Sequence, residues 1–457
     1  MSELSLSQGL AGFVHGLRFA DLPEPVREKL RLCLLHQLGM ALAGHDLPSA
    51  GIAAELILAE GGAAQATVLH GGWRSSASNA AFANAVLFHG RVQDDTHHTA
   101  HLGTVLIAAG LAVAEARRSS GEELMTALAA GYEVAGALSR EFTARTTPRG
   151  FRATALYGVL GAAATSARLL GLDRERTAHA LGIAATLAGG TIEPFAAGSE
   201  EFVLHNGQAA RNGILAASLA SRGLGAATSA LDGPAGFLQA FAGDVDGAEA
   251  VLAGLGRQFE VLNVNFKAFP VCAGNQTPLL NARGLGARIG EPARIVAVDI
   301  DMHPYEAQHP GIAHYGPFRN RVQTLMSTPF CVALGLLGRP VEMTALQTFS
   351  DPALLRLVAC TRVHAAEDLA MLQSRIRVRL DDGRELIEQF FPAADHFRYS
   401  WEAEVALLHG MRAEMPLDAD ALDALIDEVV RLDTLTDLTG LVRRASICRL
   451  RQCCVEG

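Results

Sequence analysis

The spacing of apolar positions divides the chain into a helical first part and a mixed second part. Up to about residue 265, apolar residues recur three and four positions apart in segments bounded by Gly, Pro, Ser or Asp, which is the pattern of buried helices. The first segment has Pro25 where a first helical turn tolerates proline, and it closes near Gly44. The pattern predicts helices over 22–43, 79–88, 104–117, 121–140, 154–170, 174–188 and 209–221.

After Lys267 the period of the apolar pattern shortens. Residues 294–302 are rich in β-branched side chains, and residues 375–380 alternate apolar and charged positions. An Asp-Asp-Gly triplet at 381–383 separates them from a second alternating run at 384–391, and Asp-Gly between two strands predicts a hairpin. The remaining apolar spacing predicts helices over 328–338, 352–359 and 416–448.

These patterns predict a mainly α protein with two domains. A chain of 457 residues exceeds one ordinary hydrophobic core. We expect a large all-helical domain over 1–266 and a smaller α+β domain over 267–404. The C-terminal helices, over about 405–457, are expected to pack back on the first domain.

Composition restricts the classes of function. Hydrophobic residues make up 49% of the chain and charged residues 19%, which is typical of a compact protein with heavily buried helices. The net charge is −10 and there is no long basic run, so no nucleic-acid partner is expected. The N-terminus is polar and the longest apolar run, 104–114, is too short to span a bilayer, so we expect a cytoplasmic protein with no membrane partner. Seven scattered cysteines favour reduced thiols over a disulfide framework.

One segment concentrates polar chemistry in this apolar chain. Residues 92–103 read VQDDTHHTAHLG, with three histidines and two aspartates. His97, His98 and His101 could bind a metal, but their spacing defines neither a tetrahedral nor a facial ligand set, so no metal site is predicted. A polar loop that caps the helix beginning near Gly103 is the alternative for the first two histidines. A catalytic site is the third interpretation.

In its context, this segment resembles the MmgE/PrpD family, which includes 2-methylcitrate dehydratases, cis-aconitate decarboxylase and iminodisuccinate epimerase. The resemblance covers nearly the whole chain, in blocks that occur in the expected order: FANAVLFHGRVQDDTHHTAHLGTVLIAAGLAVAEA, GFRATALYGVLGAAATSARLLGLDRER, LHNGQAARNGILAASLASRGL, FKAFPVCAGNQTPLLNA and STPFCVALGLLG. It implies a large helical domain, a smaller α+β lid domain and an active site between them. It also implies a cofactor-free homodimer that breaks a bond next to a carboxylate of a small di- or tricarboxylic acid.

The resemblance also assigns roles to individual residues. His101, Thr96 and Lys267 match the family's catalytic histidine, hydroxyl and lysine. A reaction at a carbon next to a carboxylate needs such groups, because the negative charge that builds up there requires fixed cations and a proton-transfer group. Cys272 lies five residues from Lys267, whose charge would lower a thiol pKa, but no base is identified for it, so a covalent role is disfavoured. Substrate contacts are expected from Asp95, Arg152, Phe202, His205, Cys272 and Phe318.

Five positions differ from the pattern expected of the family. An aspartate, a histidine, a lysine, a histidine and a tyrosine of the family correspond here to Val92, Arg152, Phe202, Cys272 and Phe318. These changes reduce the number of anion-holding groups, although Arg152 restores one cation. We therefore expect a lyase for a less charged or bulkier acid than 2-methylcitrate or cis-aconitate. The alternatives are an epimerase or isomerase, which needs proton donors on both faces of one carbon, and a catalytically weakened homologue with a binding or scaffolding role.

Overall fold

The structure, a computed structural model, describes residues 4–393 and 395–447. None of the helices in these two ranges is long and apolar enough to cross a membrane. The helices are α1 (Leu6–Gly16), α2 (Glu24–Ala43), α3 (Pro48–Glu60), α4 (Ala77–His89), α5 (Leu102–Arg117), α6 (Gly121–Thr146), α7 (Ala153–Leu169), α8 (Arg174–Thr186), α9 (Glu193–Ala197), α10 (Phe202–Ser221), α11 (Phe237–Ala242), α12 (Ala248–Ala253), α13 (Gln276–Ile289), α14 (Pro304–Ala307), α15 (Arg321–Met326), α16 (Thr328–Leu336), α17 (Pro352–Ala359), α18 (Trp401–Gly410), α19 (Ala419–Val430) and α20 (Thr439–Ala445). The strands are β1 (Ala66–Val68), β2 (Trp73–Ser75), β3 (Ile295–Met302), β4 (Thr361–Ala365), β5 (Ser374–Leu380) and β6 (Glu385–Phe390).

Helix α7 is deeply buried in the helical part. Its residues from 153 to 167 are all buried, and α6 and α10 pack against it. A Cβ at Gly161 of α7 would lie 2.8 Å from the Cβ of Ala135 on α6, and a Cβ at Gly213 of α10 would collide with Ala162. The small residues therefore let the three helix backbones approach closely, which accounts for the Ala- and Gly-rich composition of these segments.

The mainly α fold class is confirmed, and all seven helices predicted in the first part are present. Two boundaries are wrong: α6 ends at Thr146 rather than at residue 140, and α10 begins at Phe202 rather than at residue 209. The start of α10 was missed because its first turns contain buried polar residues such as Asn206, whose Nδ2 donates to Thr104 Oγ1 at 2.5 Å. The expectation of an entirely helical first part is also wrong, because β1 and β2 form an antiparallel hairpin. Strands of three residues are too short to show an alternating pattern.

The second part is built on a four-stranded sheet of order β4-β3-β5-β6. Strand β4 runs parallel to β3, and the other neighbouring pairs are antiparallel. The Asp-Asp-Gly triplet forms the predicted hairpin between β5 and β6, and Gly383 adopts a positive φ of 84° there. Ile376 and Val378 of β5 are buried, and α13 packs against β5 and β6. The sequence does not signal β4, because Thr361 is its only buried residue.

The C-terminal helices contact the helical part of the chain. Leu408 of α18 packs so closely on Gly39 of α2 that a Cβ at this glycine would collide with it. The amide of Gly121, the first residue of α6, donates to the carbonyl oxygen of Leu435 at 2.9 Å. Residues 448–457 of the predicted tail lie outside the described residues. The domain boundaries at 266 and 404 stay predictions.

Candidate active site

A cavity of about 380 Å³ lies where the helical part meets the sheet-containing part. Its first wall comes from residues 89–202, including the loop before α5 and the starts of α7 and α10. Its second wall comes from residues 263–398. Six of the nine predicted site residues line the cavity, namely Thr96, His101, Arg152, Phe202, Lys267 and Cys272. Their roles toward a substrate stay predictions.

His101 occupies the N-cap position of α5. Its Nδ1 lies 3.0 Å from the backbone carbonyl oxygen of Asp95, which can only accept, so Nδ1 carries the proton of the neutral ring. The lone pair is then on Nε2, and the His101 side chain lines the cavity. Burial lowers the pKa of His101, and Lys267 lowers it further, while Asp94 opposes the shift. The imidazole is therefore neutral at neutral pH and able to accept a proton.

The carboxylate of Asp94 lies between the basic groups of the site. Asp94 was not among the site residues predicted from the sequence. Its Oδ1 lies 3.1 Å from His89 Nδ1 and 3.7 Å from Lys267 Nζ. Its Oδ2 lies 2.9 Å from His101 Nδ1, within ion-pair distance, although the hydrogen-bond angles favour the neighbouring carbonyl. Burial would raise the pKa of Asp94, but His89, Lys267 and His101 together hold it well below its ordinary value. Asp94 therefore stays ionised.

Arg152 is held in a fixed position by three acceptors. Its Nη1 donates to the carbonyl oxygen of Phe202 at 2.6 Å and to Asn206 Oδ1 at 3.0 Å, and its Nη2 donates to His89 Nε2 at 2.7 Å. Because Nε2 of His89 accepts, its Nδ1 bears the proton that it donates to Asp94. Burial lowers the pKa of Arg152 only to about 10, so the guanidinium stays charged at neutral pH.

Lys267 supplies a second buried cation, with only 2% of its surface exposed. Its Nζ donates to the carbonyl oxygen of Val92. Burial lowers the pKa of Lys267, and the carboxylate of Asp94 opposes this shift. Val92 itself lines the cavity and has a left-handed backbone with φ 59°, which is unusual for a β-branched residue.

Asp95 does not line the cavity, contrary to its predicted role in substrate binding. It is completely buried, and its carboxylate accepts from Gln37 Nε2 at 2.8 Å and from Tyr132 Oη at 3.1 Å. It also accepts from the amide of Gly103, in the first turn of α5, at 3.1 Å. Asp95 therefore fixes the start of the helix that carries His101, instead of contacting a ligand.

His205 and Phe318 also lie outside the set of lining residues. The Nδ1 of His205 is 3.5 Å from Arg152 Nη1, so this ring supports the guanidinium from behind the cavity wall. Phe318 packs in the core against Phe330 and His314, with ring centroids 5.0 and 5.2 Å apart. Both predictions came from matched sequence positions, which do not distinguish a residue that lines a cavity from one packed behind it.

Several lining residues were not marked by any motif. His89, at the end of α4, follows the apolar run of that helix. Arg140 and Arg398 line the cavity at exposed positions, as does His98 of the segment 92–103 that the sequence did single out. The second wall carries Tyr305, Glu306 and His309. Cys272 lies in the same wall, and burial raises the pKa of its thiol, which argues against a nucleophilic role.

Three side chains in or next to the cavity wall lie close enough together to be considered as metal ligands. His89, Asp94 and His101 place their ligand atoms within 4.8 Å of one another, the one such group found in residues 4–393 and 395–447. Both ring nitrogens of His89 are already engaged, because Nε2 accepts from Arg152 and Nδ1 donates to Asp94. A divalent cation would also be repelled by Arg152 and by Lys267, 3.7 Å from Asp94. The donor set therefore fits an ion-paired cluster better than a metal site.

Comparison with known proteins identifies the family. The sequence model of the MmgE/PrpD N-terminal domain matches residues 8–249. Cis-aconitate decarboxylase of Homo sapiens is 31% identical over 279 residues, which cover 58% of this chain and 56% of that protein. Cis-aconitate decarboxylase of Mus musculus is 26% identical over 96% of this chain and 93% of its own length, and that of Aspergillus terreus is 23% identical over 92% of each. Since the matched domain spans more than half of the chain, this protein belongs to the MmgE/PrpD family.

Proposed function

We propose that this chain is a cofactor-independent lyase, of the decarboxylase or dehydratase type, that acts on a carbon next to a carboxylate of a small organic acid. The observation that carries the proposal is the orientation of His101, whose Nδ1 is occupied by a carbonyl oxygen and whose Nε2 is available to the cavity. Two buried cations, Arg152 and Lys267, line the same cavity. The relatives named above are cis-aconitate decarboxylases, which supports the lyase class.

The charges at the inner end of the cavity suit one carboxylate. Arg152 and Lys267 contribute two positive charges, and Asp94 contributes one negative charge, with neutral histidines between them. One positive charge remains for an anionic ligand. A carboxylate held there would be stabilised further as charge develops on it, because the surrounding donors are fixed and water is largely excluded.

The chemistry follows from this arrangement. In a dehydration, His101 Nε2 removes the proton next to the bound carboxylate, and the C–H electron pair forms the double bond as hydroxide leaves. In a decarboxylation, a second carboxylate of the substrate leaves as CO2, its C–C electron pair passes into an enolate of the bound carboxylate, and a proton is then added to carbon. Both routes build negative charge on the carboxylate, which the Lys267 ammonium and the Arg152 guanidinium stabilise.

The walls suggest an acid with one or two carboxylates and an apolar or amino-bearing substituent. Phe195, Phe202, Ile312 and Met326 line the cavity with apolar surface. A second carboxylate could reach the exposed Arg398. The remaining lining guanidinium, Arg140, already pairs with Glu141 and Glu260, so a third carboxylate, as in 2-methylcitrate or cis-aconitate, would lack a free cation at a cost of several kcal/mol. Of the two altered aromatic positions, Phe202 lines the cavity and Phe318 does not.

Variants of the two central residues test the proposal on whichever acid the wild type converts. If the reaction is a dehydration, in which Nε2 is the base, His101→Gln should lower kcat by about 10²–10⁴-fold while leaving the unfolding transition unchanged. Lys267→Ala should both raise KM and lower kcat. His15→Gln is the control, because the Nδ1 of His15 also pairs with a carbonyl oxygen, that of Leu172. Wild-type activity should survive dialysis against a chelator. A His101→Gln variant that dehydrates its substrate as fast as the wild type would remove the basis of the proposal.

A further inference from the structure

Glu306 is the only carboxyl side chain that lines the cavity in the described part of the chain. It lies on α14 in the second wall and is 6% exposed. Its Oε1 and Oε2 accept from the amide of Leu372 at 3.2 and 3.1 Å. No Lys, Arg or His side chain within residues 4–393 and 395–447 forms an ion pair with it. The lyase reaction proposed above gives Glu306 no role.

An ionised carboxylate at this place would oppose the binding of an organic acid, because two anions would share one cavity. Burial raises the pKa of Glu306 to about 7, and the amide of Leu372 opposes the shift. The titratable groups around it are Cys272 and its chain neighbours Tyr305 and His309. None of them offers a positive charge, since burial also lowers the pKa of His309. These surroundings favour a protonated carboxyl.

Both lyase reactions need a proton that neutral His101 does not supply. Its one ring proton is donated from Nδ1 to the carbonyl oxygen of Asp95, and Nε2 holds a lone pair. The departing hydroxide in a dehydration, or the enolate carbon in a decarboxylation, must receive a proton from another group. A carboxyl that ionises near neutral pH is better matched to this task than the Cys272 thiol, whose pKa is raised by burial.

We propose that Glu306, in its protonated form, is the proton donor of the reaction, an inference that rests on the lyase function proposed above. In a dehydration, the C–O electron pair leaves with oxygen, the O–H bond of Glu306 breaks, and water forms. In a decarboxylation, the electron pair of the enolate takes the Glu306 proton and makes the new C–H bond. In a dehydration, His101 then releases to solvent the proton that it took from carbon, and Glu306 takes one up. In a decarboxylation, Glu306 takes a proton from water, and the hydroxide that remains combines with the released CO2 as bicarbonate, so atoms and charge balance over either cycle.

Glu306→Gln separates this role from a purely structural one. The amide oxygen of glutamine can accept from the amide of Leu372 as the carboxyl does, but the side chain gives up no proton at neutral pH. Glu133→Gln is the matched control. Glu133 is 1% exposed, its carboxyl accepts from the backbone amides of Gly256 and Glu260, and burial raises its pKa to about 7. It lies outside the set of lining residues.

We expect Glu306→Gln to lower kcat by about 100-fold or more and to change KM by less than about threefold. The variant should lose the alkaline decline in kcat/KM that we expect of the wild type as pH rises through about 7. Glu306→Asp should recover part of the rate. Glu133→Gln should keep the wild-type kcat, and all these variants should unfold cooperatively like the wild type.

Infrared difference spectra between wild type and Glu306→Gln test the protonation state without turnover. We expect a protonated carboxyl band at about pH 6 that disappears by about pH 8. An ionised Glu306 at about pH 6, or a Gln variant with nearly wild-type kcat and an unchanged pH profile, overturns this inference and leaves the lyase function standing. If the wild type converts no organic acid, the lyase function fails and this inference fails with it.

Discussion

The position of one proton decides what His101 can do. The carbonyl oxygen of Asp95 takes the hydrogen bond from Nδ1, so the cavity meets a lone pair on Nε2. Asp94, 2.9 Å from the same ring nitrogen, favours the charged ring, but burial outweighs it. The same loop thus fixes the tautomer of His101 and keeps the ring uncharged.

We predict a bell-shaped dependence of kcat/KM on pH. Because burial lowers the pKa of His101 below its ordinary value of 6.5, the rate should fall on the acid side only below pH 6.5, where Nε2 gains a proton. On the alkaline side the rate should fall near pH 7, where Glu306 loses its proton. Steady-state rates at low substrate concentration measure both limbs. An acid limb at or above pH 6.5 would contradict a neutral His101 in the free enzyme.

The sequence identified Thr96, His101 and Lys267 as candidates because a motif surrounds each of them. It did not distinguish Asp94 from Asp95, which are adjacent and chemically identical. The structure puts the first among the basic groups and the second beneath α5. Glu306 does not lie in a recognised motif. It lines the cavity from a part of the chain about two hundred residues away from the loop before α5. Only tertiary structure brings such groups together.

At the level of elements, the start of α5 connects packing to chemistry. Gly103 lies in its first turn, and a Cβ there would be 2.5 Å from Asp95 Oδ2. The carboxylate has no room to move away, because Gln37 and Tyr132 also donate to it. The position of His101 therefore depends on the absence of a side chain two residues later.

Gly103→Ala should lower the free energy of unfolding by about 1–3 kcal/mol, because the added methyl group displaces a buried, hydrogen-bonded carboxylate. It should also lower kcat, since the loop that carries His101 must shift. Denaturant unfolding and steady-state kinetics measure the two effects. Gly16→Ala is the control, because a Cβ at this position meets nothing within 4 Å. Equal stability of Gly103→Ala and wild type would contradict the tight packing described here.

Elements with strong periodicity were predictable, and elements shaped by distant contacts were not. The spacing of apolar residues predicted α7 and the β5–β6 hairpin within one or two residues of their observed bounds. The first turns of α10 were missed because buried polar residues such as Asn206 interrupt the apolar pattern and find partners on other helices. Strand β4 was missed because it is mostly exposed.

For the whole molecule, the resemblance led us to expect a homodimer. The small-residue helix α7 does not offer an interface for it, because α6 and α10 of the same chain cover residues 156–167. We therefore place the dimer interface on a different surface. Helices α3 and α10 are neighbours, since Arg211 lies 3.7 Å from Glu60, and they expose large apolar side chains. These are Ile52, Leu56, Leu204 and Leu215, which are 67%, 51%, 45% and 41% exposed.

We predict that this apolar surface of α3 and α10 lies in a homodimer interface. Light scattering at micromolar concentration should give twice the chain mass of 48.1 kDa. The double variant Leu56→Glu, Leu215→Glu should be a folded monomer, because it places charges in the buried interface. Ile387→Glu is the matched control, as Ile387 is 47% exposed on β6, far along the chain from both helices. A monomeric wild type would argue against the dimer.

We propose that this cavity binds one carboxylate at its inner end and catalyses the loss of CO2 or water beside it. The most direct test is NMR of wild-type protein incubated in D2O with a panel of mono-, di- and tricarboxylic acids that includes cis-aconitate and 2-methylcitrate. We predict that a mono- or dicarboxylate is consumed with release of CO2 or water, while both tricarboxylates persist. Deuterium exchange or epimerisation without such a loss would identify an isomerase instead. Efficient conversion of cis-aconitate would contradict the proposed charge of the site. If no acid of the panel is converted, the proposal that this protein is an enzyme is contradicted.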